Sequence, residues 1–237
     1  MPMRNVSLKS IVAVAALFVS CSLFSSANAA TITWTQWSTP GTPGTPGSAS
    51  GAMGGVGVTY SGDLQYVDLD YPSWTPLSSF TGGTIGNAPP ASFNAISLNG
   101  GTSDIETISF SQAIVDPVLA IWSLGQANDP TTFIFTDPFT IEAGGPSFEY
   151  GGGPLTLVSS GVSGVEGNGV VQFNGTFTSI SFTTPQAEHY YDFTVGTAGG
   201  PSNSATTPPV PEPSSLALLG TGLLGVVAAG RRKFFKA

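Results

Sequence analysis

Positive charge is almost missing from this chain. Its 237 residues include six Lys and Arg, and all of these lie within the first nine or the last seven residues. Thirteen of the fourteen carboxylates lie between residues 31 and 209, so the long middle region is acidic and holds no fixed cation. Such a surface repels phosphate backbones and anionic lipid headgroups, which excludes nucleic acid as a partner and docking on a membrane through a basic patch.

Cysteine and histidine are equally scarce. Cys21 is the only cysteine and His189 is the only histidine, and no Gly-x-Ser-x-Gly motif is present. A zinc site that needs two histidines from one chain is therefore excluded, and a nucleophile elbow is missing. The sequence predicts a protein without enzymatic activity; a secreted hydrolase built on His189 is the weaker alternative.

The first 29 residues have the layout of a secretory signal peptide. A basic start is followed by an apolar run over residues 11–19, expected to be helical, and then by the small-residue sequence Ala27-Asn28-Ala29. We expect cleavage after Ala29, which would remove Cys21 and leave a mature chain without cysteine. Lipid attachment at Cys21 is the weaker alternative. The chain is thus predicted to be exported.

Residues 30–195 alternate short strand-like runs with clusters of Gly, Pro, Asn and Asp. This spacing predicts an all-β ectodomain, an antiparallel two-sheet β-sandwich of jelly-roll type. Within it, residues 39–55 begin with three Thr-Pro-Gly triplets. Because proline and glycine interrupt regular ladders, this segment is predicted to be a Thr/Pro/Gly-rich loop.

Hydrophobic patterns distinguish the environments of individual strands. Polar and apolar residues alternate over 178–183, which predicts one buried and one solvent-facing side. The runs 118–122 and 133–135 are apolar without alternation, and we expect both to be covered on two sides. A strand, a turn and a second strand follow one another around Ile108 and again around Ile180. These are either two ordinary hairpins or a structural pseudo-repeat.

Candidate ligand-binding residues are few. Asp68 and Asp70 flank Leu69 on an expected strand, so their side chains would share one face, about 7 Å apart. Such carboxylates can bind calcium or serve a glycosidase, but no calcium-loop motif is present, and no metal site is assigned. The nearby Tyr71 and Trp74 would suit stacking on sugars, which makes a carbohydrate-binding module, assisted by calcium, the second hypothesis; a place in the core is the simpler expectation.

The end of the chain divides into a spacer and a three-part tail. Residues 196–209 are rich in Gly, Ser, Thr and Pro and are predicted to be a linker. Residues 214–230 are apolar and would form a helix about 25 Å long, near the lower limit for crossing a bilayer. The flanking sequences are Val210-Pro211-Glu212-Pro213 and Arg231-Arg232-Lys233, of which the basic one is expected to stay in the cytoplasm.

This tail, residues 210–237, resembles the PEP-CTERM sorting signal of bacterial exported proteins. The resemblance implies a precursor that is held transiently in the inner membrane until an exosortase recognises Pro-Glu-Pro and removes the anchor. The implied partners are the secretion machinery, the exosortase and extracellular polysaccharide. The implied destination is the cell surface or the extracellular matrix of a biofilm. A permanent single-span anchor without sorting is the alternative.

Overall fold

The computed structural model describes residues 29–38, 40–68 and 74–199. All of them belong to the first of two compact units of the chain, Met1–Pro201. They form sixteen strands and one short 3-10 helix, Leu77–Ser79. In this part of the chain, none of the helical structure is long and apolar enough to cross a membrane. Residues 1–28 of the predicted signal peptide, the sorting tail and the membrane helix lie outside the described residues.

Eight of the described strands form Sheet I. These strands are β1 Thr33–Trp34, β5 Tyr66–Asp68, β6 Ala95–Gly100, β8 Pro117–Leu124, β10 Phe139–Gly144, β11 Gly153–Pro154, β14 Gly167–Phe173 and β16 Ala187–Thr197. Their main order is β10–β14–β8–β16–β6–β5, while β1 pairs with β16 and β11 pairs with β14.

The other eight described strands form Sheet II. These strands are β2 Gln36–Trp37, β3 Gly44–Met53, β4 Val56–Leu64, β7 Glu106–Val115, β9 Thr131–Phe135, β12 Thr156–Val158, β13 Gly161–Gly164 and β15 Thr176–Thr183. They follow the order β12–β13–β9–β15–β7–β4–β3–β2.

The chain passes back and forth between the two sheets. Strands β7, β9 and β15 lie in Sheet II, whereas β8, β10 and β16 lie in Sheet I. As a result, β7 pairs with β15 in Sheet II and β8 pairs with β16 in Sheet I, which is the interleaved arrangement of a jelly roll. Among the described strands, only the short β11 pairs in parallel, with β14. The predicted antiparallel two-sheet sandwich is confirmed.

The main core lies between the sheets and is rich in aromatic rings. Phe133 on β9 is its centre: its ring centroid lies 4.9 Å from that of Phe182, 5.7 Å from that of Tyr191 and 6.3 Å from that of Phe193. Leu119 and Ile121 on β8 belong to the same core. Burial of these large side chains supplies most of the free energy that holds the sheets together.

A second core covers the outer face of Sheet I. Val118, Ala120 and Trp122, which alternate with the inward residues of β8, pack there with Trp74, Phe80 and Ile85 of the segment between β5 and β6. Every residue of β8 is therefore buried. The prediction that residues 118–122 are covered on both sides is confirmed.

The outer face of Sheet II is lined with small hydroxyl side chains. Strand register places Ser50, Thr59, Ser109 and Ser179 in one cross-strand row. The apolar residues that alternate with them face the core, as Ile180 and Phe182 do, so the alternation predicted for 178–183 is confirmed. The prediction of two-sided cover for 133–135 is wrong, because Ile134 points to this outer face and is 38% exposed.

The predicted loop at 39–55 requires a correction, because β3 occupies Gly44–Met53 and pairs with β4. The register runs from Gly44↔Leu64 directly to Gly47↔Gly62, which leaves Thr45 and Pro46 outside the ladder. Proline is tolerated at such an irregularity because it need not donate a ladder hydrogen bond there. The small residues that follow it then pair regularly.

The last strand also differs from the expected boundary. β16 continues to Thr197, beyond residue 195, because Gly196 and Thr197 pair with Val118 and Pro117 of β8. The first two residues assigned to the linker are therefore part of the sheet.

Candidate functional site

The predicted ligand residues do not come together as a site in the described part of the chain. Trp74 is 1% exposed and packs edge to face on Phe80, with ring centroids 5.1 Å apart. This corrects its assignment as a sugar-stacking residue, because a buried ring cannot meet a ligand. Asp68 ends β5 opposite Ala95. Its side chain, together with Asp70 and Tyr71, lies outside what the structure describes.

No group of three or more His, Cys, Asp or Glu side chains that could hold a metal ion occurs among the described residues. Calcium binding that involves Asp68 and Asp70 stays a prediction. His189 lies on β16, and its catalytic use likewise stays a prediction.

One buried carboxylate lies at an end of Sheet I. Glu188 is 6% exposed, and its Oε2 accepts a 2.7 Å hydrogen bond from the Gly125 N–H, just after β8. Burial raises the pKa of Glu188 to about 7, and the negative charges of Glu166 and Asp129 act in the same direction. The hydrogen bond from Gly125 opposes this rise but does not outweigh it. Glu188 therefore ties β16 to the end of β8, in a protonation state that changes near neutral pH.

A second buried carboxylate lies at the start of β7 and faces the core. Glu106 Oε2 accepts hydrogen bonds from the Tyr60 hydroxyl and, at 2.8 Å, from the Asp63 N–H. Burial raises the pKa of Glu106 despite these two bonds, and it raises the pKa of Tyr60 as well. Glu106 is fully buried, so these groups join β4 to β7 and are not accessible to a substrate.

An aromatic turn stands out on the surface. We use this name for residues 147–151, which connect β10 to β11. Phe148 is 77% exposed and Tyr150 is 48% exposed, and Glu149 between them is also exposed. The ring of Tyr150 lies over that of Trp122 on β8, with 5.4 Å between centroids. This is the one place in the described chain where two exposed aromatic side chains flank an exposed carboxylate.

The aromatic turn was missed from the sequence, although a weak indication existed. Two aromatic residues flank Glu149 between the sequences Gly-Gly-Pro and Gly-Gly-Gly, a composition typical of a surface turn. Sequence alone does not distinguish this pair from aromatic residues of the core, such as Trp74.

An acidic jelly-roll domain between a signal-peptide layout and a three-part tail defines a class: an exported β-domain protein with C-terminal sorting. The profile of the PEP-CTERM protein-sorting motif matches residues 209–233. The chain therefore carries this motif, which marks a C-terminally anchored precursor that is exported to the cell surface through an exosortase. In comparisons with curated proteins and with solved structures, nothing matched this chain. The match covers the tail alone, so it identifies the export route and does not extend to the β-domain.

Proposed function

We propose that this protein is a non-enzymatic component of the cell surface or of the extracellular matrix, and that an exosortase releases its β-domain from a temporary membrane anchor. The observation that carries the proposal is the sorting motif at residues 209–233. Within it, Pro211, Glu212 and Pro213 serve as the recognition sequence, and the basic residues Arg231, Arg232 and Lys233 hold the precursor until cleavage.

The charge distribution supports this order of events. All six Lys and Arg lie in the two segments that processing would remove. The released domain would carry the thirteen carboxylates of residues 31–209, together with Glu212 if cleavage follows it, and no Lys or Arg. Mutual repulsion keeps such a domain soluble and away from anionic membranes.

The β-domain itself supports a structural role. The two carboxylates with raised pKa values, Glu106 and Glu188, are buried and hold neighbouring strands together. The solvent-facing side of Sheet II offers hydroxyl groups, which suits a strongly hydrated matrix.

Mass spectrometry of the exported protein tests the processing step. Trypsin has no cleavage site between Lys9 and Arg231, so the intact mass is the appropriate measurement. We expect a species that begins near residue 30 and ends close to Pro213 in normal cells, and a species that retains the tail in cells without exosortase. Replacing Glu212 with Gln should give the longer species, whereas Glu149→Gln in the β-domain should not.

A C-terminus that retains residues 216–237 in normal cells would refute processing and leave a permanent anchor. Cell fractionation tests the destination. We expect the processed protein in the matrix or surface fraction, and recovery only from the periplasm would contradict the proposed role.

A further inference from the structure

We propose that the aromatic turn, residues 147–151, is a binding site for a neutral polysaccharide. This assignment deepens the proposed surface and matrix role and rests on it, because such a ligand is met outside the cell. The ligand class follows from three properties of the turn: its rigidity, its exposed rings and the charge that surrounds it.

The turn is held in shape before any ligand arrives. Ser147 and Gly151 exchange backbone hydrogen bonds of 2.7 and 3.2 Å, and the Tyr150 N–H donates to Ser147 Oγ at 3.2 Å. On the side toward the neighbouring segment, the Phe148 N–H donates to the carbonyl of Thr75 at 2.9 Å. Because the backbone is fixed, binding costs little conformational entropy.

The base of the turn is also tied to Sheet I. Asn168 on β14 donates through Nδ2 to the carbonyl of Gly151 at 3.3 Å, and Ser79 Oγ donates to the carbonyl of Pro146 at 2.7 Å. The ring of Tyr150 rests on Trp122, which is buried on β8. The aromatic turn is therefore packed on β8, a strand in which every residue is buried.

The ring of Phe148 belongs to neither of the two core clusters in the described part of the chain. Phe148 is the most exposed of the large apolar side chains in the described part of the chain, at 77%. Keeping a phenyl ring in water gives up the free energy of burying it, and aromatic side chains are enriched at interfaces relative to the rest of a protein surface. A flat ring offers a complementary surface to the apolar C–H face of a sugar, and the adjoining Glu149 carboxylate can accept hydrogen bonds from sugar hydroxyls.

The surrounding charge selects among polysaccharides. Residues 10–230 contain no Lys or Arg, so no cation is available to pair with uronate, sulfate or phosphate groups. Glu149 itself adds a negative charge at the centre of the turn. An anionic polysaccharide would be repelled by this charge, whereas a neutral polysaccharide would not.

Binding by the full-length chain in mild detergent tests the proposal independently of sorting. The probes are four neutral polysaccharides, cellulose, chitin, laminarin and mannan, and one anionic polysaccharide, alginate. We expect the chain to bind at least one neutral probe and not alginate. Replacing Phe148 with Ala should weaken that binding about tenfold, as loss of an aromatic anchor does at other interfaces.

The matched control is Leu157→Ala, which removes another highly exposed apolar side chain, 68% exposed, from β12. It should leave binding unchanged. Because Phe148 makes no core contact that its removal would disturb, the variant should keep the wild-type unfolding midpoint, and Tyr150→Phe should retain the stacking ring and most of the binding.

Several results would overturn the assignment. These are no binding to any neutral probe, equal binding to alginate, equal loss in the Phe148 and Leu157 variants, or binding to neutral phosphatidylcholine vesicles in place of polysaccharide. If mass spectrometry finds normal exosortase cleavage while binding fails, the surface role stands and only this site is wrong. If cleavage fails while binding persists, the proposed processing is wrong and the binding site stands.

Discussion

The two sheets of this domain have similar inner faces and very different outer faces. The outer face of Sheet I carries Val118, Ala120 and Trp122 beneath a second apolar core. The outer face of Sheet II carries rows of hydroxyl side chains such as Thr59, Ser109 and Ser179. This difference shows that the residues of a strand depend on what covers each of its faces. β8 is covered on both faces and is almost continuously apolar, whereas β15 is covered on one face and alternates apolar with polar residues.

The largest expected effect comes from placing a charge on each outer face in turn. Ala120→Asp would bury an unpaired carboxylate between β14 and β16 and should cost about 4 kcal/mol or more, enough to prevent folding. Ser109→Asp places the same group on the face toward solvent and should cost less than about 1 kcal/mol. Urea unfolding midpoints and soluble yield measure both. Similar losses in the two variants would mean that the outer face of Sheet II is also covered.

Neighbouring residues of β9 allow the same comparison within one strand. Phe133 contacts several rings of the main core, and Phe133→Ala should destabilise the domain by about 3–5 kcal/mol through the cavity it leaves. Ile134 faces outward, so Ile134→Ala should cost less than about 1 kcal/mol. Urea denaturation at constant m-value provides the measurement. A larger loss for Ile134 than for Phe133 would contradict the assignment of faces.

The buried carboxyl group of Glu188 should make the stability of the domain depend on pH. Burial raises the pKa of Glu188 from 4.5 to about 7, so the folded state holds a proton that the unfolded state releases. The contribution of Glu188 to the free energy of unfolding is therefore fully present below pH 4.5. It is lost as the pH rises through 7, by at most about 3 kcal/mol. Glu188→Gln should flatten this decline, measured as the melting temperature between pH 4.5 and 8. A decline of the same size in the variant would remove Glu188 as its source, and Glu106, whose pKa is also raised, would be the next group to replace.

A more exposed carboxylate of the same sheet should behave in the opposite way, with the smallest effect. Burial acts to raise the pKa of Glu142 on β10, but hydrogen bonds from Thr140 Oγ1 and from the Thr84 N–H outweigh it, and the pKa lies below its ordinary value. The contribution of Glu142 to the free energy of unfolding is present above pH 4.5 and is lost as the pH falls through the lowered pKa. Since solvent screens this group, Glu142→Gln should cost roughly 0.5 kcal/mol or less at pH 7. A melting temperature that rises at pH 7 in this variant would show that the hydrogen bonds do not stabilise the carboxylate.

Local pattern predicted the strands but not always their partners. The segments around Ile108 and Ile180 each contain two strands in sequence, and ordinary hairpins were one interpretation. That interpretation is wrong, because β7 and β8 lie in different sheets, as do β15 and β16. Instead β7 pairs with β15 and β8 pairs with β16, so the two segments pair with each other, as a pseudo-repeat would. Strand partners depend on contacts distant in sequence, which periodicity does not contain.

Trp74 and Phe148 illustrate the same limit for the site. Both are aromatic residues in loops rich in Pro, Gly and Ser, yet one is buried and the other is exposed. The segment that carries Trp74 covers the apolar outer face of Sheet I, whereas the turn at residues 147–151 contacts Trp122 through Tyr150 and leaves Phe148 in solvent. No local property of either segment indicates which aromatic side chain will be buried against the sheet.

The sequence by itself determined the export layout, the sorting tail, the acidic and cation-free middle region and the all-β class. These properties depend on composition, order and short-range periodicity, which a linear chain expresses directly. Only the tertiary structure decided that residues 44–53 form a strand, that a second core covers the outer face of Sheet I, that Glu188 is buried, and that Phe148 and Tyr150 are exposed at one turn. Each of these results from packing between residues far apart in the chain, and such packing depends on contacts that local sequence does not specify.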